Sequence, residues 1–232
     1  MKREKKEKKT FILAVPTIIV IIVFLIAMPI MIYQKNYKPL SREDALSLSE
    51  KILSIDNISC EIITKSEYER LIDYKFKDNV LYSKYNDSIE LTNGNNENNS
   101  IYIDTKAKEK FIYNSNNNIE NFKGTLNAAI EILSNDDYEY NFIKYEKVNG
   151  IKAATVELEK DDSEFVISLD RETGMPIKII GKYNTKDEEN TSTITTVYRY
   201  QIGQVKDDDL KLPDTEGYNV TEVGSTNEKI GE

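Results

Sequence analysis

The 232-residue sequence contains no histidine. That removes the commonest metal ligand and the side chain that titrates nearest neutral pH. It also excludes Ser-His-Asp and Cys-His nucleophilic catalysis. A single cysteine, Cys60, excludes an internal disulfide, so an exported domain of this size relies on its apolar core. Tryptophan is absent as well. No Ser-x-x-Lys motif stands at a helix start, and the Asp-x-Asp-x-Asp-Gly spacing of a calcium loop is missing. There is no internal repeat and no alternation of strand and helix of the βαβ kind.

One long uncharged run is present. From Phe11 to Tyr33 the sequence reads FILAVPTIIVIIVFLIAMPIMIY. A hydrocarbon core about 30 Å thick needs roughly 20 apolar helical residues, so this run is long enough to span it. Pro16 and Pro29 are tolerated in such helices. The run is longer than a signal-peptide core, and no Ala-x-Ala site follows it. Residues 11–33 therefore read as an uncleaved signal-anchor. Residues 1–10, MKREKKEKKT, carry Lys2, Arg3, Lys5, Lys6, Lys8 and Lys9 against Glu4 and Glu7. Positive flanks stay cytoplasmic, so residues 1–10 form a cytoplasmic tail and everything from Gln34 onward lies outside the cell membrane.

Six of the 31 basic and two of the 40 acidic residues precede the run. The remainder holds 25 basic and 38 acidic residues, a net charge of −13. Such a surface disfavours nucleic acid and suits a basic partner.

Residues 34–40 form a tether. Ser41-Arg42-Glu43-Asp44 opens a helix, with Ser41 as N-cap and acids in the first turn. Ala45, Leu48, Ile52 and Ile55 give its apolar stripe. From Ile58 the period becomes that of a strand, and Cys60 falls among inward apolar residues as a small buried hydrophobe. Further strands are expected over 68–76, 80–85, 101–104 and 110–113, with polar loops at 93–99 and 114–118. Thr125 caps a second helix with Leu126, Ala129, Ile130 and Leu133 on one face. Strands over 138–148 and 151–159 meet at Asn149-Gly150, a strong hairpin signal. Phe165, Ile167 and Leu169 lead through a turn to Ile177 and Ile179. A last long strand holds Ile194, Thr196, Tyr198, Tyr200 and Ile202, and residues 221–232 read as a flexible tail. This order gives an α+β fold: a strongly curved antiparallel sheet with helices on one side, preceded by one transmembrane helix.

The turn Asp170-Arg171-Glu172-Thr173-Gly174-Met175-Pro176 lies between two apolar strands, before an aromatic strand and a Pro213-Asp214 close. It resembles the Asp-x-x-Thr-Gly-x-Pro turn of LolA-like lipoprotein-carrier domains. The resemblance covers residues 41–220 in element order and 165–214 at residue level. It implies an unclosed β-barrel with helices on its concave side and an apolar cavity that binds acyl chains in the carrier members. Other members bind proteins, among them a clostridial spore-germination lipoprotein that partners a cortex amidase. A domain tethered for good cannot shuttle across an envelope. The expected function is therefore a non-enzymatic module that docks another envelope protein, with lipid acyl-chain binding as the alternative. Tyr198 and Tyr200 are the candidate ligand contacts, because that region lines the family cavity. Asp170, Thr173, Gly174 and Pro176 are structural: Asp170 accepts turn amides and Gly174 takes positive φ. Asp207, Asp208, Asp209 and Asp214 form a solvated acidic turn, and neither cofactor nor metal is expected.

Overall fold

The computed structural model describes Met28 and residues 38–96, 100–115, 117–184 and 191–223. The chain divides into two units, Met1–Leu40 and Ser41–Glu232. Apart from Met28, the apolar run over 11–33 lies outside the described residues, as do the basic tail before it and residues 34–37 of the tether. Among the described residues, no helix is long and apolar enough to cross a membrane.

The unit Ser41–Glu232 begins with helix α1, Arg42–Ser49. The Ser41 hydroxyl accepts the Asp44 amide at 3.1 Å, and Glu43 and Asp44 stand in the first turn, where the helix dipole favours acids. The helix tightens into a 3-10 turn over Glu50–Ser54 instead of running on as α-helix to Ile55. Buried Ser49 donates to the Leu46 carbonyl three residues back, a local bond that competes with the α ladder.

Among the described residues twelve strands form one sheet. They are β1 Asn57–Lys65, β2 Glu69–Lys77, β3 Val80–Tyr85, β4 Ser88–Asn93, β5 Ser100–Asp104, β6 Glu109–Tyr113, β7 Glu139–Val148, β8 Ile151–Lys160, β9 Ser163–Asp170, β10 Pro176–Asn184, β11 Thr191–Ile202 and β12 Asn219–Glu222. The spatial order is β12-β6-β5-β4-β3-β2-β1-β11-β10-β9-β8-β7. Two antiparallel meanders, β1 to β6 and β7 to β11, are thus joined where β1 pairs with β11. The sheet is curved and unclosed, with β12 and β7 as its edges.

Register puts one set of side chains on the concave face. Ile58, Cys60 and Ile62 lie opposite Phe76, Tyr74 and Ile72 on β2, and opposite Ile202, Tyr200 and Tyr198 on β11. In the second meander Val156 faces Ile167, which faces Ile179. The hairpin at Asn149-Gly150 has positive φ at both residues, the type I′ geometry that matches strand twist.

Helix α2, Asn117–Ser134, connects β6 to β7 and so joins strands at opposite sides of the sheet. It buries Ile119, Phe122, Leu126, Ala129 and Leu133, spaced three and four apart along one stripe. The Phe122 ring sits 4.8 Å from Tyr74 and 5.7 Å from Phe76. Arg42 of α1 caps the end of α2, donating to the Leu133 carbonyl at 3.0 Å and the Asn135 carbonyl at 2.6 Å. A cation on these terminal carbonyls also suits the helix dipole.

Three further elements differ from the sequence-based expectation. Helix α2 starts two turns before Thr125, whose hydroxyl donates back to the Asn121 carbonyl inside the helix instead of capping it. Strand β4 was not anticipated: it offers only Ile89 and Leu91 as apolar residues, and its register is set by the tight turn at Asn86 and Asp87. Strand β12, at the boundary of the expected tail, pairs in parallel with β6 although every residue in it is exposed.

The turn between β9 and β10 is held as its motif suggests. Asp170 accepts the Glu172 amide at 2.9 Å and the Thr173 hydroxyl at 2.8 Å. Gly174 has φ of 77° and stands against α1: a Cβ there would lie 1.8 Å from the Leu48 carbonyl oxygen. Pro176 opens β10 at a bulge in the β9 pairing.

This packing sets the cost of two substitutions. Gly174→Val places a β-branched residue at positive φ against backbone that cannot yield, and should cost at least about 3 kcal/mol in denaturant unfolding of the purified chain. Cys60 is fully buried, and burial, aided by Asp73 and Glu61, pushes its thiol up to about 12. It should react with a bulky maleimide slowly in the native protein and quickly in denaturant, and Cys60→Ser should cost about 1–3 kcal/mol.

Candidate functional site

Helix α2 does not fill the whole concave face. Beside its N-terminal half a cavity of about 490 Å³ remains over β2 to β5. Strand alternation brings its wall together. Ser83 of β3 lies opposite Tyr74 of β2 and Glu90 of β4, and Glu90 lies opposite Tyr102 of β5. Arg70 and Ile72 extend the wall on β2, Tyr85 on β3 and Ser88 on β4. The roof is Asn118 and Asn121, one helical turn apart on α2.

The wall carries charge of both signs. The Arg70 guanidinium stacks over the Tyr85 ring, 4.7 Å from its centroid. No ion pair to a carboxylate holds Arg70 among the described residues. Glu90 accepts a 2.6 Å bond on Oε1 from the Asn118 amide, which also reaches the Thr92 hydroxyl at 3.3 Å. Every fully buried side-chain polar atom of the described residues has a hydrogen-bond partner. Oε2 of Glu90 has no partner among the described residues, so it is not fully buried, and Glu90 lines the cavity. Burial pushes the Glu90 carboxyl above its ordinary value, against the pull of the Asn118 bond. Tyr74 lies between the charges. Burial raises its hydroxyl most, Arg70 lowers it, and Cys60 and Glu90 raise it. Tyr102 and Ser88 share a 2.8 Å hydroxyl bond at the far side.

The residues expected from sequence lie elsewhere on the same face. Tyr198 is 2% exposed and donates to the Thr125 carbonyl at 3.2 Å, tying β11 to the middle of α2. Tyr200 donates to Asp170 Oδ2 at 2.5 Å and lies 3.2 Å from the Thr173 hydroxyl. Asp170, Thr173 and Tyr200 thus form one network that fastens the β9–β10 turn to β11. Burial, with the Asp170 bond adding to it, raises the Tyr200 hydroxyl. Neither tyrosine borders the cavity over β2 to β5. Arg70, Glu90 and Asn118 had no signal strong enough to be singled out. The alternation of β2 put Arg70 in phase with Tyr74, but without β4 nothing brought Glu90 beside them.

The acidic residues near the C-terminus are each engaged locally. Asp207 pairs with Lys77 at 2.6 Å, Asp208 pairs with Lys211 at 2.6 Å, and Asp209 accepts the Lys206 amide at 2.9 Å. Asp214 accepts the Glu216 amide at 3.0 Å. Among the described residues no three potential ligands are grouped to hold a metal ion. A second hollow of about 470 Å³ at the ends of β7 to β11 is lined by charged groups, and its lysines are paired, Lys182 with Glu164 at 2.6 Å and Lys160 with Asp137 at 2.5 Å.

No protein-family model matches this chain, and no curated relative does. Among solved structures it is similar to an uncharacterized conserved protein from Thermus thermophilus, at 8% identity and a TM-score of 0.46, over 78% of this chain and 98% of that one. The complex of Pseudomonas aeruginosa MucA/MucB aligns at 12% identity and a TM-score of 0.41, over 74% of this chain and 61% of that one. A putative outer membrane lipoprotein-sorting protein domain from Vibrio parahaemolyticus aligns at 15% identity and a TM-score of 0.28, over 74% of this chain and 97% of that one. At these scores the likeness is descriptive, and it carries no partner or ligand to this chain.

A carboxyl raised by burial holds its proton more tightly folded than unfolded. Its ionised form therefore costs stability above the folded pKa, and the cost disappears as pH falls below the unfolded value. Glu90→Gln keeps an oxygen for Asn118 and removes the charge. Thermal melts should place this variant above the parent near pH 7, with the gain gone by about pH 4.

Proposed function

We propose that this chain is a membrane-tethered, extracytoplasmic binding module of the cell envelope that docks another envelope protein. A single helix over residues 11–33 is the anchor, residues 1–10 are cytoplasmic, and the unit Ser41–Glu232 lies outside. The basic flank and the uncharged length of the run support that topology. The turn at Asp170, Thr173, Gly174 and Pro176, and a curved sheet with helices against one face, support kinship with the LolA-like domains. Tethering to the partner's own membrane raises the effective concentration of each for the other, so modest affinity suffices.

The observation that carries the binding reading is the character of the concave face. An acyl carrier needs an open apolar cavity. Here the apolar part of the face is filled by Phe122, Leu126, Ala129 and Leu133 of α2. The cavity over β2 to β5 is walled by Arg70, Glu90, Asn118, serine hydroxyls and tyrosines, with Ile72, Leu81 and Ile89 among them. Burying a hydrocarbon chain against those groups would strip water from a charged pair and return no hydrogen bonds. Polar recognition suits this face, and lipid binding is the weaker reading.

The test uses intact cells of the host. A membrane-impermeant cross-linker should join the tagged full-length chain to one specific envelope protein. Raising salt should reduce the yield, because a net charge of −13 past the anchor favours a basic partner surface. Co-purified acyl lipid that exchanges with vesicles, with no cross-linked protein at any salt, would establish the lipid reading instead.

A further inference from the structure

We propose that the cavity over β2 to β5 is a site for a short free peptide, bound by both of its charged ends, with the carboxylate on Arg70 and the ammonium on Glu90. The proposal rests on the reading of this unit as a binding module and adds a second ligand to it.

The two charges differ in what they leave open. Arg70 is exposed and held flat by Tyr85, so the edge of its guanidinium presents a donor fork with no protein carboxylate on it among the described residues. Glu90 lines the cavity and is held by Asn118 through Oε1, which leaves Oε2 without a partner among the described residues. Each charge is thus oriented by a neighbour before a ligand arrives, which lowers the ordering cost of binding. A ligand with one charge would satisfy one wall and leave the other unpaired in a partly desolvated space. A ligand with both charges satisfies both walls.

Sheet geometry sets the length of that ligand. Glu90 and Tyr74 share a level across β3, and Arg70 is four residues along β2 from Tyr74. With strands about 4.8 Å apart and a rise of about 3.3 Å per residue, the two Cα atoms are roughly 16 Å apart. Both side chains reach inward across the cavity and shorten the gap to about two or three peptide units of 3.3–3.6 Å each. A volume of about 490 Å³ accommodates a ligand of that size. Ser83 and the Tyr74 hydroxyl lie between the charges and can serve peptide N–H and C=O groups.

The experiment is titration calorimetry of the full-length chain in detergent with trialanine, N-acetyl-trialanine and trialanine amide. Trialanine should bind, and blocking either end should weaken it by about tenfold or more. In R70Q the penalty for the C-terminal amide should vanish while the penalty for acetylation remains. In E90Q the reverse should hold. This cross-dependence reads pairing and not general damage to the fold. The proposal is overturned if trialanine does not bind, if the blocked peptides bind equally well, or if both penalties persist in both variants. A cross-linked envelope protein together with silent calorimetry leaves the docking reading standing and removes this one. Peptide binding without a cross-linked protein does the opposite.

Discussion

The structure depends on one connection. Strand β6 ends near one side of the sheet and β7 begins at the far edge, ten inter-strand steps away. Laid flat, ten steps are about 48 Å, whereas the 18 residues of α2 span about 27 Å. A curved sheet brings its two sides toward each other, and the crossing helix must then lie in the concavity. The apolar stripe of α2 makes that position favourable. Phe122 sits against Tyr74 and Phe76 of the first meander, and the Thr125 carbonyl takes the Tyr198 hydroxyl where the two meanders meet. Burying a side chain such as Phe122 is worth about 1.5–3 kcal/mol, so a five-residue stripe offsets a substantial part of the cost of ordering the connection.

Once the helix is in place, the polar groups of the face must be paired. The Tyr198 hydroxyl goes to backbone of α2, and the Tyr200 hydroxyl to Asp170. Thr92 meets Ser100 on this face, and on the opposite face Thr155 meets Ser168 and Glu146. The Tyr200 bond reaches past β10 to the end of β9, and the others run between neighbouring strands or from strand to helix, so they fix register as well as satisfy polar atoms. Tyrosine suits the task because its ring fills the core while its hydroxyl reaches a partner at the edge. Arg42 does the equivalent at the end of α2, where terminal carbonyls would otherwise be left to solvent.

Much of this was legible in the sequence. The alternation of Ile58, Cys60 and Ile62, the Asn149-Gly150 hairpin and the Asp170 to Pro176 turn each state a local rule, and the structure obeys each. What was not legible required partners distant in sequence. Strand β4 is recognisable only between β3 and β5, because Ser88 to Asn93 has too few apolar residues to signal alone. Parallel pairing of β12 with β6 leaves no periodic trace when all four residues are exposed. The start of α2 was hidden because Asn117 and Asn118 fall in the asparagine-rich stretch that reads as a loop, and Thr125 looked like a cap. For the same reason the candidate site was missed. Arg70, Glu90 and Asn118 come from three elements, and one of those elements was unrecognised.

The sequence of α2 also explains why a cavity exists. Its apolar stripe runs through the first two turns, where Ile119 and Phe122 are buried, and a polar row lies beside it. That row presents Asn118 and Asn121 to the cavity, and the strands answer with Ser83, Glu90 and Tyr102. Facing polar surfaces meet directly only where hydrogen-bonding geometry allows, and between such points they leave room for water or a ligand. Asn118 further commits its amide to Glu90 and Thr92, so it braces the wall and does not fill the space. The cavity therefore lies beside the apolar stripe of α2 and not in a gap along it, where the row holding Asn118 and Asn121 faces the polar positions of β3 to β5.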